Sequence, residues 1–247
     1  MNQWWERLMF LIANDKGGVG KSTILSLVVG WHRSKGRDPK LFDSDAINQS
    51  FRAFFPEAEV LDTSQENALD QVLRAMIDSE LALIDNHAGG IEDPERGFLA
   101  WLDGIEWFEW AKDKGLGLTI GVIVNDMKVN NRNVGRIMGA IGQNVNWVVF
   151  RNFRGAKNRS AWEESEERQV ALELEAAGCA FGVEVPRIDS GLTQQMDALG
   201  KPLEGLRLAQ YDWAGDARQR KVLRHFYSQL DEISEVLTVP ALEKVVG

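Results

Sequence analysis

The stretch Lys16-Gly17-Gly18-Val19-Gly20-Lys21-Ser22-Thr23 decides how the rest of the chain is read. It stands between a continuous apolar run, Leu8 to Ala13, and a second apolar segment, Ile24-Leu25-Ser26-Leu27-Val28-Val29, that marks the buried face of a helix. Glycines at this spacing let the backbone of Gly17, Gly18, Val19 and Gly20 wrap with its N–H groups turned inward. The positive end of the following helix closes the cup, so the segment is built to hold phosphates. In such a loop Lys21 reaches the β- and γ-phosphates, the Ser22 hydroxyl serves Mg²⁺, and Thr23 bonds a phosphate nearer the base. The usual pattern has Gly five residues before the Gly-Lys pair. Here Asp15 takes that position, and a second lysine, Lys16, opens the loop.

Working outward, strand-length apolar runs recur at Lys40–Asp43, Leu81–Asp85, Leu118–Asn125, Trp147–Asn152 and Ala180–Pro186. Runs apolar on both faces suit a parallel sheet covered by helices on each side. Thr63-Ser64-Gln65-Glu66 and Ser160-Ala161-Trp162-Glu163 each fit a capping box, in which hydroxyl and carboxylate satisfy each other's orphan backbone donors. Strand and helix alternation of this kind implies an α/β fold of the P-loop NTPase type, a doubly wound, mostly parallel β-sheet with helices on both faces. With no Pro/Ser linker, repeat or low-complexity tract, residues 1–247 are expected to form a single domain.

A phosphate cup alone does not hydrolyse, so the carboxylates matter next. Asp43 and Asp45 end the second strand on the edge that carries the loop, where ligands of open α/β sheets sit, and are placed for work on the γ-phosphate. Asp85 ends a buried run and is placed to hold Mg²⁺ through a water. For each, a turn or N-cap role is the competing reading.

Composition bounds the rest. The 247 residues carry 28 Lys+Arg against 37 Asp+Glu, a net charge of −9, with 44% hydrophobic content, enough for a real core. One cysteine, Cys179, excludes internal disulfides and thiolate clusters, and three scattered histidines give no metal-ligand spacing. No apolar run reaches the roughly 18–20 residues of a bilayer span, and the N-terminus lacks secretory features, so a cytoplasmic protein is expected.

These residues resemble the deviant Walker-A ATPases of the ParA/MinD family. The match lies in Lys16 to Thr23 with the signature first lysine, in Asp43-Ser44-Asp45-Ala46-Ile47-Asn48-Gln49 as switch I, and in Leu83-Ile84-Asp85-Asn86-His87 as switch II. Val148 to Asn152 looks like the strand whose terminal Asn recognises adenine, Val185-Pro186-Arg187 like the exit of the next strand, and Asp197 to Leu203 like a family helix end. The resemblance implies bound ATP and Mg²⁺ and an ATP-driven sandwich homodimer. In it Lys16 reaches the partner's nucleotide, Lys21 holds the phosphates, Asp45 orients the attacking water, Ser22, Asp43 and Asp85 serve the metal, and Asn152 and Pro186 flank the base. Family members often have Pro or a small residue after the switch II aspartate. Here Asn86-His87 stands instead, and His87 either contacts the phosphate side or a partner, or is satisfied within its loop.

The implied activity is ATP hydrolysis used to position, partition or stabilise DNA or another cargo, with a stimulating partner protein. A P-loop kinase acting on a small acceptor and a weakly hydrolysing nucleotide-gated adaptor are the alternatives. The tail from Leu230 is mainly acidic and interrupted by Pro240, which disfavours a membrane anchor. Two cationic clusters, Arg151, Arg154, Lys157 and Arg159 and then Arg218, Arg220, Lys221 and Arg224, offer non-specific DNA binding; a solvated surface balanced by acids is the other reading. In the aromatic segment from Phe98 to Trp110, positions 98, 101, 102, 105 and 108 share a helical face, while Trp107 and Trp110 fall partly off it, as core or as a partner surface.

Overall fold

A computed structural model describes residues 5–14, 16–45, 49–63, 65, 67–87, 100, 102, 111, 113–153, 159–186 and 217–239. Seven strands form one sheet: β1 (Arg7–Ile12), β2 (Lys40–Asp43), β3 (Glu59–Val60), β4 (Leu81–Asp85), β5 (Leu116–Val124), β6 (Asn146–Arg151) and β7 (Ala180–Glu184). Their order is β3-β2-β4-β1-β5-β6-β7, and every pairing is parallel. All carboxyl ends therefore share one edge. Six strands fall on the expected runs to within two residues. The two-residue β3 was not foreseen, because exposed Glu59 and half-buried Val60 carry no apolar pattern.

The period of two along each strand divides the core between the faces. Leu8, Phe10 and Ile12 of β1 join Leu81 and Leu83 of β4 and Val148 and Phe150 of β6 on one face. Met9 and Leu11 join Ala82, Ile84, Trp147 and Val149 on the other. The first face is covered by α1 (Lys21–Ser34) and by α6 (Ala217–Glu232) with α7 (Ser234–Leu237). The second is covered by α2 (Ala68–Asp78), α3 (Lys128–Ile141), the single turn α4 (Ser160–Glu163) and α5 (Glu166–Ala176). The fold is thus doubly wound, as the sequence implied. The chain reverses direction across the sheet at β1, so the loop after β1 opens at the switch point between β4 and β5.

The expected capping box at Ser160 does not form, and the one from Thr63 to Glu66 includes Ser64 and Glu66, which lie outside the described residues. Helix α2 starts at Ala68 with Asn67 as its N-cap and no side-chain cap, several residues beyond Thr63. Ser160 lies inside α4, whose N-cap is Arg159, and no side chain caps that turn. The working cap is Ser165, whose hydroxyl accepts the Arg168 N–H at 3.2 Å, with Glu166 and Glu167 in the first turn of α5.

The last helices belong to the core. Leu223, Phe226, Leu230, Ile233, Val236 and Leu237 recur every three or four residues and are buried against α1 and the sheet. Gln229 exchanges two hydrogen bonds with the Glu184 backbone of β7, and Asp231 accepts from Trp31 Nε1 at 2.9 Å and pairs with Lys35 at 2.7 Å. Among the described residues no helix is long and apolar enough to cross a membrane.

Candidate functional site

The loop from Lys16 to Gly20 turns on two glycines with left-handed backbones, Gly18 at φ 73° and Gly20 at φ 103°. A side chain at either position would be strained, which is why the turn uses glycine there. Gly20 is also the N-cap of α1, and it offers no side-chain acceptor to the first helical N–H groups. Those donors and the helix dipole face the mouth of the loop. Lys21 folds its ammonium back to the Lys16 carbonyl at 3.4 Å, while the Lys16 side chain is exposed. Thr23 lies half-buried in the first turn of α1.

Ser22 meets the acid at the end of β4. Its hydroxyl donates to Asp85 Oδ2 at 2.6 Å and contacts Ser50 Oγ at 2.9 Å. Asp85 Oδ1 is buried and has no hydrogen-bond partner. Burial pushes the Asp85 carboxyl up to about 7; the Ser22 hydrogen bond opposes this, Asp43 adds to it, and Lys21 opposes it. A hydroxyl and a carboxylate with a spare buried oxygen, side by side at a glycine loop, are the hard-oxygen donors that Mg²⁺ takes when phosphates supply the remaining ligands. The residues present fit that ion.

Asp43 pairs with Asp85 in the register of β2 and β4 but is used differently. Its Oδ1 accepts the Asp45 N–H at 2.9 Å, and its Oδ2 accepts the Phe51 and Arg52 N–H groups at 3.1 Å each. The fully buried carboxyl thus closes the loop that leaves β2. Burial raises its pKa and the three backbone donors hold it down. Asp45 is half-buried beside it, and Gln49, at φ 45°, bends the returning chain, with Ala46, Ile47 and Asn48 outside the described residues.

Ser44 joins the two segments. Its N–H donates to the Asp85 carbonyl at 3.0 Å, and its hydroxyl accepts the His87 N–H at 2.9 Å and lies 3.2 Å from both Asn86 Oδ1 and His87 Nδ1. The Ser44 hydroxyl thus meets both the backbone N–H and the Nδ1 of His87 across the two loops.

Across the switch point lies a group of buried asparagines that the sequence reading passed over. Asn14 donates to the Ile123 carbonyl at 2.9 Å and to Asn130 Oδ1 at 3.0 Å, and accepts the Ile123 N–H at 2.8 Å. Asn131 donates to the Asn125 carbonyl at 2.8 Å and accepts the Asn125 N–H at 3.1 Å. The signal was present in asparagines that directly follow apolar runs, as in Ala13-Asn14 and Val124-Asn125. Asn152, at the end of β6, donates its side-chain amide to the Val19 carbonyl at 2.8 Å. Pro186 follows β7 at the same edge, half-buried.

The cationic clusters part company. Arg151 is paired with Glu175 at 3.4 Å and with Glu184 at 3.6 Å, and Arg159 with Glu184 at 3.6 Å, so acids already occupy both guanidinium groups. Lys221 and Arg224 are exposed on α6. Arg154, Lys157, Trp107 and Trp110, the family-like helix end Asp197 to Leu203, and the side chains of Arg218 and Arg220 lie outside the described residues. Leu102, on the expected apolar face, is buried.

An all-parallel, doubly wound sheet with a glycine loop at its switch point is the fold of the P-loop NTPases. No known family profile and no curated protein sequence matches the chain. Among solved structures it is similar to the MinC:MinD cell division protein complex of Aquifex aeolicus, with 12% identity over 92% of this chain and 95% of that one at a TM-score of 0.53. It is likewise similar to the MinD cell division protein of the same organism, with 12% identity over 92% and 96% of the two chains at a TM-score of 0.52. At that identity the likeness establishes the fold.

Proposed function

We propose that the chain is a cytoplasmic, single-domain ATPase of the ParA/MinD type, which binds Mg²⁺-ATP at the Lys16–Thr23 loop, hydrolyses it, and pairs with a second copy in the ATP state to position a cargo. The observation that carries this reading is the 2.6 Å contact of Ser22 with Asp85, whose second oxygen is buried and unpartnered at the mouth of the loop.

When bound, Mg²⁺ supplies positive charge to the phosphate oxygens. Ser22 and Asp85 hold it, and Asp43, its oxygens committed to backbone donors, keeps the Ser44–Arg52 loop in place beside them. The backbone N–H groups of Gly17 to Gly20 and the Lys21 ammonium take the phosphate charge. Asp45 orients the attacking water, and exposed Lys16 reaches the nucleotide of the second copy. Ser44 links Asp45 to Asn86-His87, so a change at one segment is felt by the other.

The cargo reading is DNA, such as a plasmid or chromosome, held through the Lys221–Arg224 face of α6, with the paired Arg151 and Arg159 taking no part. That pairing and the net charge of −9 favour a second reading, a nucleotide-gated protein partner. The MinD neighbour is itself seen in a complex with MinC.

The experiment is Mg²⁺-dependent phosphate release from ATP by the purified chain and by Asp85→Asn. Wild type is expected to need Mg²⁺, and the variant to lose turnover by about a hundredfold or more. Phosphate release equal in the two proteins would sink the assignment. DNA binding with ATP, ADP and no nucleotide at two salt concentrations then separates the cargo readings, since a phosphate-bound interface weakens steeply with salt.

A further inference from the structure

We propose that Asn152 is a positioning residue of the phosphate loop, holding the Val19–Gly20 peptide so that the Gly20 N–H faces the phosphates. The proposal rests on the nucleotide reading of that loop. It gives the Asn152 amide a different task from the base contact that the family resemblance implies.

The argument begins with the peptide plane. In a trans peptide the C=O of one residue and the N–H of the next point in opposite directions. The Asn152 side-chain amide takes the Val19 carbonyl at 2.8 Å in a buried contact between residues 133 apart. With that carbonyl drawn toward β6, the Gly20 N–H is turned the other way, to the concave side of the loop. This fixing is needed because the flanking residues Gly18 and Gly20 both sit at positive φ, where glycine moves freely between conformations. A loop of this kind, left alone, spreads over many orientations of its N–H groups and gives up affinity to order them.

Asn152 is itself held to a rigid reference. Its backbone N–H donates to the Val124 carbonyl at 2.8 Å, at the end of the fully buried β5. Asn14, two residues before Lys16, grips both the N–H and the carbonyl of Ile123 on the same strand. The start of the loop and its central peptide are therefore referred to consecutive residues of one strand. Val19 is buried, so water does not replace the amide at its carbonyl without a change of packing.

The test separates phosphate positioning from base reading. Calorimetric titrations with Mg²⁺ and sodium tripolyphosphate, ATP or GTP are run on wild type, Asn152→Asp and Asn152→Ala, with the melting temperature and circular dichroism of each chain recorded. Loss of the donor is expected to weaken tripolyphosphate and ATP alike, by about tenfold, and to leave the ATP-to-GTP affinity ratio unchanged. Undiminished tripolyphosphate binding with ATP falling to the level of GTP would make Asn152 a base reader and overturn the proposal. Unchanged binding of all three ligands would overturn it as well. Wild-type chain that binds neither tripolyphosphate nor ATP would instead remove the nucleotide reading and this proposal with it. Nitrogen-15 NMR of the unaltered, nucleotide-free chain asks the question without a variant. The Asn152 side-chain amide is expected to resist solvent exchange, and exchange as fast as that of a surface asparagine would overturn the proposal.

Discussion

His32 shows how much one side chain can set. It lies fully buried near the end of α1, its ring edge-on to Trp31 at 4.6 Å between centroids, and neither ring nitrogen has a hydrogen-bond partner. Burial, reinforced by the nearby Arg37 charge, lowers its pKa to about 3. In the unfolded chain the ring takes a proton near pH 6.5, so between that value and about 3 the unfolded state binds more protons than the native one. The native state is therefore favoured fully above pH 6.5 and progressively less as pH falls toward 3. His32→Leu, which removes the titrating ring and keeps an apolar filler, is expected to gain on wild type by about 2 kcal/mol between pH 7 and pH 5 in urea denaturation. A difference between the two proteins that does not move with pH would show that the ring is protonated in the fold. Asp43 and Asp85 make the same point for carboxylates. They are register partners on adjacent strands, yet one is saturated by three backbone donors and the other keeps an oxygen unpartnered.

At the scale of elements, the sheet is held by close packing across its centre, and Gly121 marks the tightest place. A Cβ there would lie 2.9 Å from both Phe10 Cζ and Phe150 Cε2, ring atoms contributed by the two strands flanking β5. Neither ring has room to give, since both residues are fully buried. Gly121→Ala is expected to cost about 1–3 kcal/mol through overpacking, read as a lower midpoint in urea with an unchanged slope. A midpoint equal to that of wild type would mean that the two rings repack freely. The strands themselves were legible in the sequence because burial on both faces leaves unbroken apolar runs, as in Leu81 to Ile84. The glycine loop was legible because its pattern is local, set between one strand and one helix. What sequence could not show depends on partners far along the chain. That Asp43 would accept the Phe51 and Arg52 N–H groups depended on how the loop after β2 returns. Asn14 finds Ile123 109 residues away. The cap expected at Ser160 was misplaced by one residue, since α4 takes Arg159 as its N-cap and Ser160 as its first helical residue.

At the scale of the whole molecule, the question is what an exposed lysine does at the mouth of an otherwise inward-facing site. Lys21 bends back onto its own loop, whereas Lys16, five residues earlier, is exposed to solvent beside two exposed glycines. A cation in that position contributes little to a phosphate in its own cup if water screens it. It contributes far more once a second copy covers the face and excludes that water. The proposed ATP-state pairing therefore separates binding from turnover at this one residue. With Mg²⁺-ATP, sedimentation velocity is expected to move the chain from 27.7 kDa to twice that mass, and ADP to return it. Lys16→Ala is expected to keep ATP binding within a few-fold of wild type and to lose phosphate release by about a hundredfold or more, the scale on which one preorganised charge acts on a transition state. Turnover per wild-type chain should also fall on dilution, because dilution below the dimer constant removes the second copy and its lysine together. Turnover per chain that is independent of concentration, with Lys16→Ala fully active, would place all of the catalytic charge within one chain and overturn the pairing.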